Sequence, residues 1–358
     1  MKTTPKVSII VPVYNADDYL TECLDSLKNQ SLTSIEIICV NNGSTDNSKL
    51  IIQKYIKLDP RFHLINIPPS NAGAARNAGL QEAHGEYLSF IDADDFCELN
   101  MFELLYQSAS ANHSDIVICE FRTYDNLSHQ YNDKTSGIAK NIKSEAFTPT
   151  SIKTNIFGAF KNCPWNKLFK RDFIITHQLK FQEIPRGNDI YFTYLSLVQA
   201  TKISVIRLPL INYRVNNQKS LQNTNISSPL SFMDAFKYVK NQLIVHNIYQ
   251  IYEQSFLTEL LNNAIYNLEK LPFDSNAYNY LYYTIKYGIE IDFQIKNHPA
   301  SFYNVDSYSK YLTIVNSPTP SEIIEKAMKE IRSSHSYRIG TAITKIPRKF
   351  INLTKRSN

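Results

Sequence analysis

The sequence predicts an α/β protein: a mostly parallel sheet flanked by helices, followed by a helical C-terminal region. Three observations carry that reading. The first 120 residues alternate short apolar runs with amphipathic stretches, as βαβ units do. The unusual polar residues of this half gather where the apolar runs end. After about residue 225, apolar residues recur instead at the three- and four-residue spacing of helices.

The elements follow in order. The run Val7-Ser8-Ile9-Ile10-Val11-Pro12-Val13 is a buried strand, and Asp17 and Asp18 then precede Leu20, Leu24 and Leu27 at helical spacing, acids suited to a first turn. Strands are expected over 35–40, 63–67, 87–91 and 115–121, with helices over 48–57, 74–83 and 100–111. Residues 122–150 are polar and weakly periodic, so they read as a loop or excursion. A helix over 189–199 and a strand over 203–208 follow. Ser228-Pro229 makes a cap and first-turn pair for a helix lined by Phe232, Phe236, Val239 and Leu243. A second helix carries Phe256, Leu260, Ala264 and Leu268, and Thr319-Pro320-Ser321-Glu322 is a capping box leading into Ile323, Ala327 and Ile331. The organisation expected is one domain over 1–225, with halves at 1–120 and 121–225, a helical region over 226–332 and a basic tail over 333–358.

Composition excludes several classes. With 43% hydrophobic and 12% aromatic residues in 358, the chain has the material for a sizeable core and is not disordered. Its net charge is +5, but residues 331–358 alone hold seven Lys and Arg and no acid, so the remainder is close to neutral. A near-neutral body gives no general electrostatic case for nucleic acid, whereas the basic tail suits an anionic surface such as a membrane. Within that tail a helix over 336–346 would set Ile339, Ile343 and Ile346 opposite Arg338 and Lys345, until Pro347. No apolar run reaches the roughly 18 to 20 residues of a membrane span, and the start lacks the apolar segment of a signal peptide, so a cytoplasmic location is expected. The five cysteines are odd in number and never in CxxC spacing, which reads as reduced core thiols.

In open sheets, ligands bind outside the carboxyl ends of the strands. Four segments lie there: 12–15, 41–46, 71–77 and 92–95. Asp92, Asp94 and Asp95 crowd three carboxylates after an apolar strand, where they are either a solvated loop or a seat for a hard divalent ion shared with a diphosphate. Singly, 41–46 and 71–79 also read as ordinary capped turns. All four in order at one edge point to a site.

On these residues the chain resembles the inverting family 2 glycosyltransferases with the GT-A fold, over about residues 5–222. The resemblance is carried by the opening strand through Tyr14 and Asn15, by Asn41-Asn42-Gly43-Ser44-Thr45-Asp46, by Ala75-Arg76-Asn77-Ala78-Gly79, and by Gly85-Glu86-Tyr87 leading into Asp92-Ala93-Asp94-Asp95. It continues in Pro164-Trp165-Asn166-Lys167-Leu168-Phe169, in Gly187-Asn188-Asp189-Ile190-Tyr191-Phe192 and in Tyr213-Arg214 with Ser220 beyond.

The resemblance implies a donor site formed by Pro12, Tyr14, Asn15, Asn42, Ser44, Arg76, Asp92, Ala93 and Asp94, with Mn2+ or Mg2+ held by Asp94 and Asp95. It implies Asp189 as catalytic base, Trp165, Asn166 and Lys167 on the acceptor side, and Arg214 and Lys219 near the phosphates. Two positions depart from the family pattern: Asn42 stands where an aspartate usually meets uracil, and Asn188 where a glutamate usually precedes the base. The function implied is a nonprocessive transferase moving sugar from a nucleotide diphosphate, with a UDP-sugar favoured, to a growing bacterial surface glycan or lipid-linked glycan. Transfer to a lipid phosphate, a catalytically silent scaffold and a nucleotidyltransferase are the competing readings.

Overall fold

The computed structural model describes residues 4–132, 134, 136–216, 227–273 and 275–322. Its first half is laid down as the apolar periodicity demands: β1 (Val7–Val13), α1 (Leu20–Lys28), β2 (Ile35–Asn42), α2 (Ser48–Leu58), β3 (Phe62–Ile67), α3 (Ala72–Gln81), β4 (Tyr87–Phe90), β5 (Phe96–Cys97) and α4 (Met101–Asn112). Then come β6 (Ile116–Asp125), β7 (Gln130–Tyr131), β8 (Ala146–Phe147), β9 (Lys167–Lys170), α5 (Arg171–Thr176), α6 (Asn188–Gln199) and β10 (Ile203–Val215).

Among the described residues these strands form one sheet in the order β3-β2-β1-β4-β9-β6-β10-β5, with β7 on β6 and β8 on β10. It is mixed. The long pairings β1–β2, β2–β3, β1–β4 and β6–β10 are parallel, while the short strands β5, β7, β8 and β9 pair antiparallel. Every residue of β2 is buried, because helices cover both faces of the parallel half. The register Val13↔Asn41 and Asn42↔Ile67 brings three strand ends level at one edge.

Two compact units divide between Asn263 and Ala264. The boundary expected at 225 falls within the first unit, because α7 (Ser231–Val245) covers the aromatic face of α6. Tyr191 meets Tyr238 at 4.8 Å between ring centroids, and Tyr194 meets Phe236 at 5.8 Å. Helix α8 (Tyr249–Glu269) runs across the division. The second unit continues through α9 (Asn276–Tyr283), a π turn over Thr284–Gly288, α10 (Ile289–Phe293) and α11 (Val305–Asn316). Tyr282 donates its hydroxyl to the carbonyls of Ile314 (3.2 Å) and Ser317 (2.9 Å), which closes α11 onto α9. A further helix opens at Pro320, as the capping box requires.

Lys219, Ser220 and everything from Ile323 onward, the basic tail included, lie outside the described residues. All five cysteines are free and buried. Burial pushes the thiols of Cys39, Cys119 and Cys163 up to about 12. Among the described residues no helix is long and apolar enough to cross a membrane.

Candidate active site

The loops after β1 and β2 are tied to one another by short side chains. Asn15 takes a left-handed backbone (φ 48°), its N–H donates to Ser44 Oγ at 3.1 Å, and its Oδ1 accepts from the N–H of Thr45 at 2.8 Å. Asp17 Oδ2 accepts from the N–H of Asn47, and Asp46 Oδ2 from the N–H of Asp17 at 3.0 Å. Asp17 thus braces this turn, and α1 begins only at Leu20. Tyr14 stands 58% exposed above the loop, with Pro12 partly exposed beside it.

Asn42 is buried and makes a reciprocal pair with Ser70: its Oδ1 accepts from the Ser70 N–H at 2.8 Å and its Nδ2 donates to the Ser70 carbonyl at 3.1 Å. Gly43 (φ +68°) lets Pro69 close over the turn, since a Cβ there would sit 2.5 Å from the proline ring.

Helix α3 starts on an Asn71 cap, whose Oδ1 accepts from the Ala74 N–H at 3.0 Å. One turn later Arg76 lies buried, and its Nη2 forms an ion pair with Asp92 Oδ1 at 2.7 Å. Its Nη1 donates to Asn188 Oδ1, also at 2.7 Å, while Nε has no hydrogen-bond partner among the described residues. A glutamate at position 188 would compete with Asp92 for this cation. The neutral amide leaves Asp92 as the ionic partner.

At the end of β4 the chain turns sharply, with the Asp95 N–H on the Asp92 carbonyl at 3.1 Å. Asp92 and Asp94 are partly exposed, and Asp95 is buried beneath them. Arg214 holds the turn from below: its backbone N–H reaches Asp95 Oδ1 at 2.8 Å and its Nε reaches the Asp94 carbonyl at 2.8 Å. The same guanidinium pairs with Glu22, donates to Asn126 Oδ1 at 2.9 Å, and lies against the rings of Tyr19, Phe96 and Tyr124. Burial, with Asp94 and Asp92 close by, raises the Asp95 carboxyl well above its usual range.

Asp189 is the second residue of α6, next to Asn188, whose amide Arg76 grips. Burial raises its pKa; the Arg76 charge acts in the opposite sense, and Asp92 adds to the rise. A carboxyl lifted in this way is suited to taking a proton.

The Trp165-Asn166-Lys167 segment is buried. Trp165 stacks on Tyr213 at 5.3 Å and meets Phe121 edge-on at 4.7 Å. Asn166 Nδ2 donates to the Cys119 carbonyl at 2.6 Å. Lys167 Nζ donates to the carbonyls of Lys161 (2.8 Å) and Cys163 (2.7 Å) and to Asn166 Oδ1 (2.8 Å), so its ammonium stitches a loop inside the protein. Burial lowers its pKa.

The structure thus gathers Arg76, Asp92, Asn188 and Asp189, and joins Asn15 to Ser44. It seats Arg214 under the acidic turn and the 165–167 segment behind it. Glu22, Ser70 and Asn126, which complete these contacts, carry no sequence signal beyond being ordinary polar residues.

A mixed α/β sheet with acids, amides and an arginine gathered at its strand ends is the architecture of the GT-A fold. Residues 8–177 match Glycosyl transferase family 2. The putative glycosyltransferase EpsH of Bacillus subtilis is 35% identical over 222 residues, which are 61% of this chain and 63% of EpsH. The chain therefore matches less than two thirds of that relative's length.

Among solved structures, Staphylococcus aureus TarS residues 1–349 in complex with UDP-GlcNAc superposes with a TM-score of 0.61 at 20% identity, over 87% of this chain and 81% of that one. The mannosyltransferase PcManGT of Pyrobaculum calidifontis, in complex with GDP-Man and Mn2+, gives 0.52 at 14% identity, over 95% and 84%. Both likenesses bear on the fold.

Proposed function

We propose that this chain is a nonprocessive, inverting glycosyltransferase that moves a sugar from a nucleotide diphosphate to a hydroxyl of a bacterial surface glycan. The observation that carries the reading is the chain of contacts from Asp92 through Arg76 to Asn188, which sets the pKa-raised Asp189 beside the acidic strand end.

In this mechanism Asp189 removes the proton of the acceptor hydroxyl as its oxygen bonds to the anomeric carbon. The bond from that carbon to the diphosphate breaks on the opposite face, which inverts the centre. Arg76 holds Asp92 directly and, through Asn188, the start of the helix that carries Asp189.

Among the described residues no three His, Cys, Asp or Glu side chains are placed to hold a metal by themselves. One or two carboxylates sharing an ion with phosphate oxygens is the usual Mg2+ arrangement, and the acidic turn fits it. We assign Asp94 as the carboxylate for Mn2+ or Mg2+, with Asp95 Oδ2, which lacks a hydrogen-bond partner among the described residues, as a second oxygen of the same turn. When bound, the ion would offset the charge on the departing diphosphate.

A UDP-sugar is the favoured donor because TarS, a fold neighbour, binds UDP-GlcNAc, while GDP-Man on PcManGT makes GDP the competitor. Calorimetry with UDP, GDP, CDP and dTDP, with and without Mn2+, on wild type and Asp94→Ala tests the site. Metal-dependent binding of UDP that disappears in the variant is expected. Failure of every nucleotide to bind folded wild type would sink the proposal.

A further inference from the structure

Where β6, β7 and β10 end together, they enclose a groove of about 580 Å³, lined chiefly by Thr123, Asp125, Gln130, Asn132, Lys134 and Val215. Its size is that of a ligand cleft. It lies at the carboxyl ends of β6 and β10, which run parallel, and this is the edge at which such sheets bind ligands. Contacts already described tie it to the acidic turn. Val215 follows Arg214, which holds Asp94 and Asp95, and Asn126 follows Asp125. Asn126 accepts from Arg214 through its side chain and donates its N–H to the Val215 carbonyl at 3.1 Å. Tyr213 is paired with Thr123, so alternation places it on the same face of the sheet as Thr123, Asp125 and Val215. Burial raises the pKa of the Tyr213 hydroxyl, and the charges of Asp95, Asp92 and Asp94 add to the rise. The groove and the acidic turn therefore meet at Tyr213.

The lining selects a chemistry. Asp125 is spent within the fold: its Oδ1 accepts from the N–H groups of Leu127 (2.8 Å) and Ser128 (3.1 Å), and its Oδ2 from Asn216 Nδ2 at 2.8 Å. Lys134 is the one other charged residue of the lining. The Thr123 hydroxyl and the Gln130 amide make no hydrogen bond among the described residues. A single cation is no clamp for a diphosphate or a polyanion, and an apolar ligand would cover these polar groups without pairing them. Sugar hydroxyls both donate and accept, which is what an amide and a hydroxyl require of a partner. We propose that this groove binds neutral sugar units of the acceptor glycan, those behind the hydroxyl that reacts, with Thr123 and Gln130 as specificity-determining residues. The inference rests on the glycosyltransferase reading above and adds the class of acceptor to it.

The test is saturation-transfer NMR on the full chain without nucleotide, using cellotetraose, galactotetraose and chitotetraose as neutral probes and a tetramer of glycerol phosphate as the anionic one. Wild type is expected to bind at least one neutral tetramer in preference to the anionic one. Thr123→Val with Gln130→Ala removes the unspent polar atoms, and Gln130→Arg, at an exposed position, puts a long side chain in their place. Each is expected to weaken that binding at least about tenfold, with thermal unfolding as the check that the variant is folded. Binding of none of the neutral tetramers by wild type, preference for the anionic one, or equal binding by folded variants and wild type would each overturn the proposal. Because no nucleotide is present, the result is separate from the donor site. A chain that binds UDP but no tetramer loses the groove alone, and one that binds a tetramer through the groove but no nucleotide loses the donor reading alone.

Discussion

Arg214 donates its backbone N–H to Asp95 and its Nε to the carbonyl of Asp94, so strand β10 carries the acidic turn at the end of β4. The turn's geometry therefore depends on a residue 119 positions further along the chain.

Removing the Arg214 guanidinium strips donors from the Asp94 carbonyl, Asn126 and Glu22 together. Arg214→Met is expected to lower stability by about 3 kcal/mol in urea unfolding, the usual scale for losing one partner of a buried charge network. Nucleotide affinity in the presence of Mn2+ should fall as well. An unchanged unfolding midpoint would mean the turn holds itself.

Asp189 carries the pH dependence. Its raised pKa means that the folded chain binds this proton up to a higher pH than the unfolded chain does. Its favourable contribution to folding is therefore present below the unfolded value and lost as pH rises through the folded one. Asp189→Asn is thus expected to melt at or above the wild-type temperature at neutral pH, with the two curves converging in acid. Turnover should drop by roughly 100- to 10,000-fold while donor affinity is kept. In wild type, kcat should rise with pH through an inflection above the ordinary aspartate range of about 4. A variant with near-normal turnover would remove Asp189 from the chemistry.

Gly73 is the point where α3 touches the segment leading to the base. An added Cβ would lie 2.1 Å from the Gln182 carbonyl oxygen, and the Gln182 N–H is bonded to the Asn188 carbonyl. Asn77 fastens the same segment through both backbone groups of Phe181. Gly73→Ala is expected to cost about 1 to 3 kcal/mol and to lower kcat by displacing Asn188 and Asp189. A variant destabilised to that degree but with normal kcat would show that the segment relaxes without moving the base.

Asn42→Asp tests the departure at the second loop. The new carboxylate still accepts from the Ser70 N–H, but its other oxygen faces the Ser70 carbonyl where an amide donor was. A loss of about 1 to 3 kcal/mol is expected near neutral pH, shrinking in acid as the introduced carboxyl regains a proton to donate. Denaturant melts at two pH values check this.

The parallel half of the fold was legible because β1, β2 and β4 are buried along almost their whole length and each helix on one face, so period alone separates them; the run 7–13 became β1 residue for residue. Strands β5, β7 and β8 were not, because two residues have no period. Helices α9 to α11 escaped for another reason: Tyr280, Tyr283 and Tyr287 are apolar by type yet face outward, which blurs the stripe that marks a helix. At the site, Arg76, Asp92 and Asp189 were visible as residues, but their connection through Asn188 is tertiary. Lys167 shows the converse. A lysine in a polar motif reads as a surface cation, and three carbonyl-type acceptors hold this one inside.

Arg76 reaches back to no earlier part of the chain for its partners: both lie ahead of it, Asp92 at 16 positions and Asn188 at 112. During synthesis, then, the guanidinium is made long before the amide that completes its pairing. A ribosome-bound or prematurely terminated chain that stops short of residue 188 would form the β1 to β4 sheet edge with one of those two bonds unmade. Nothing that stops short of α6 can assemble the paired site.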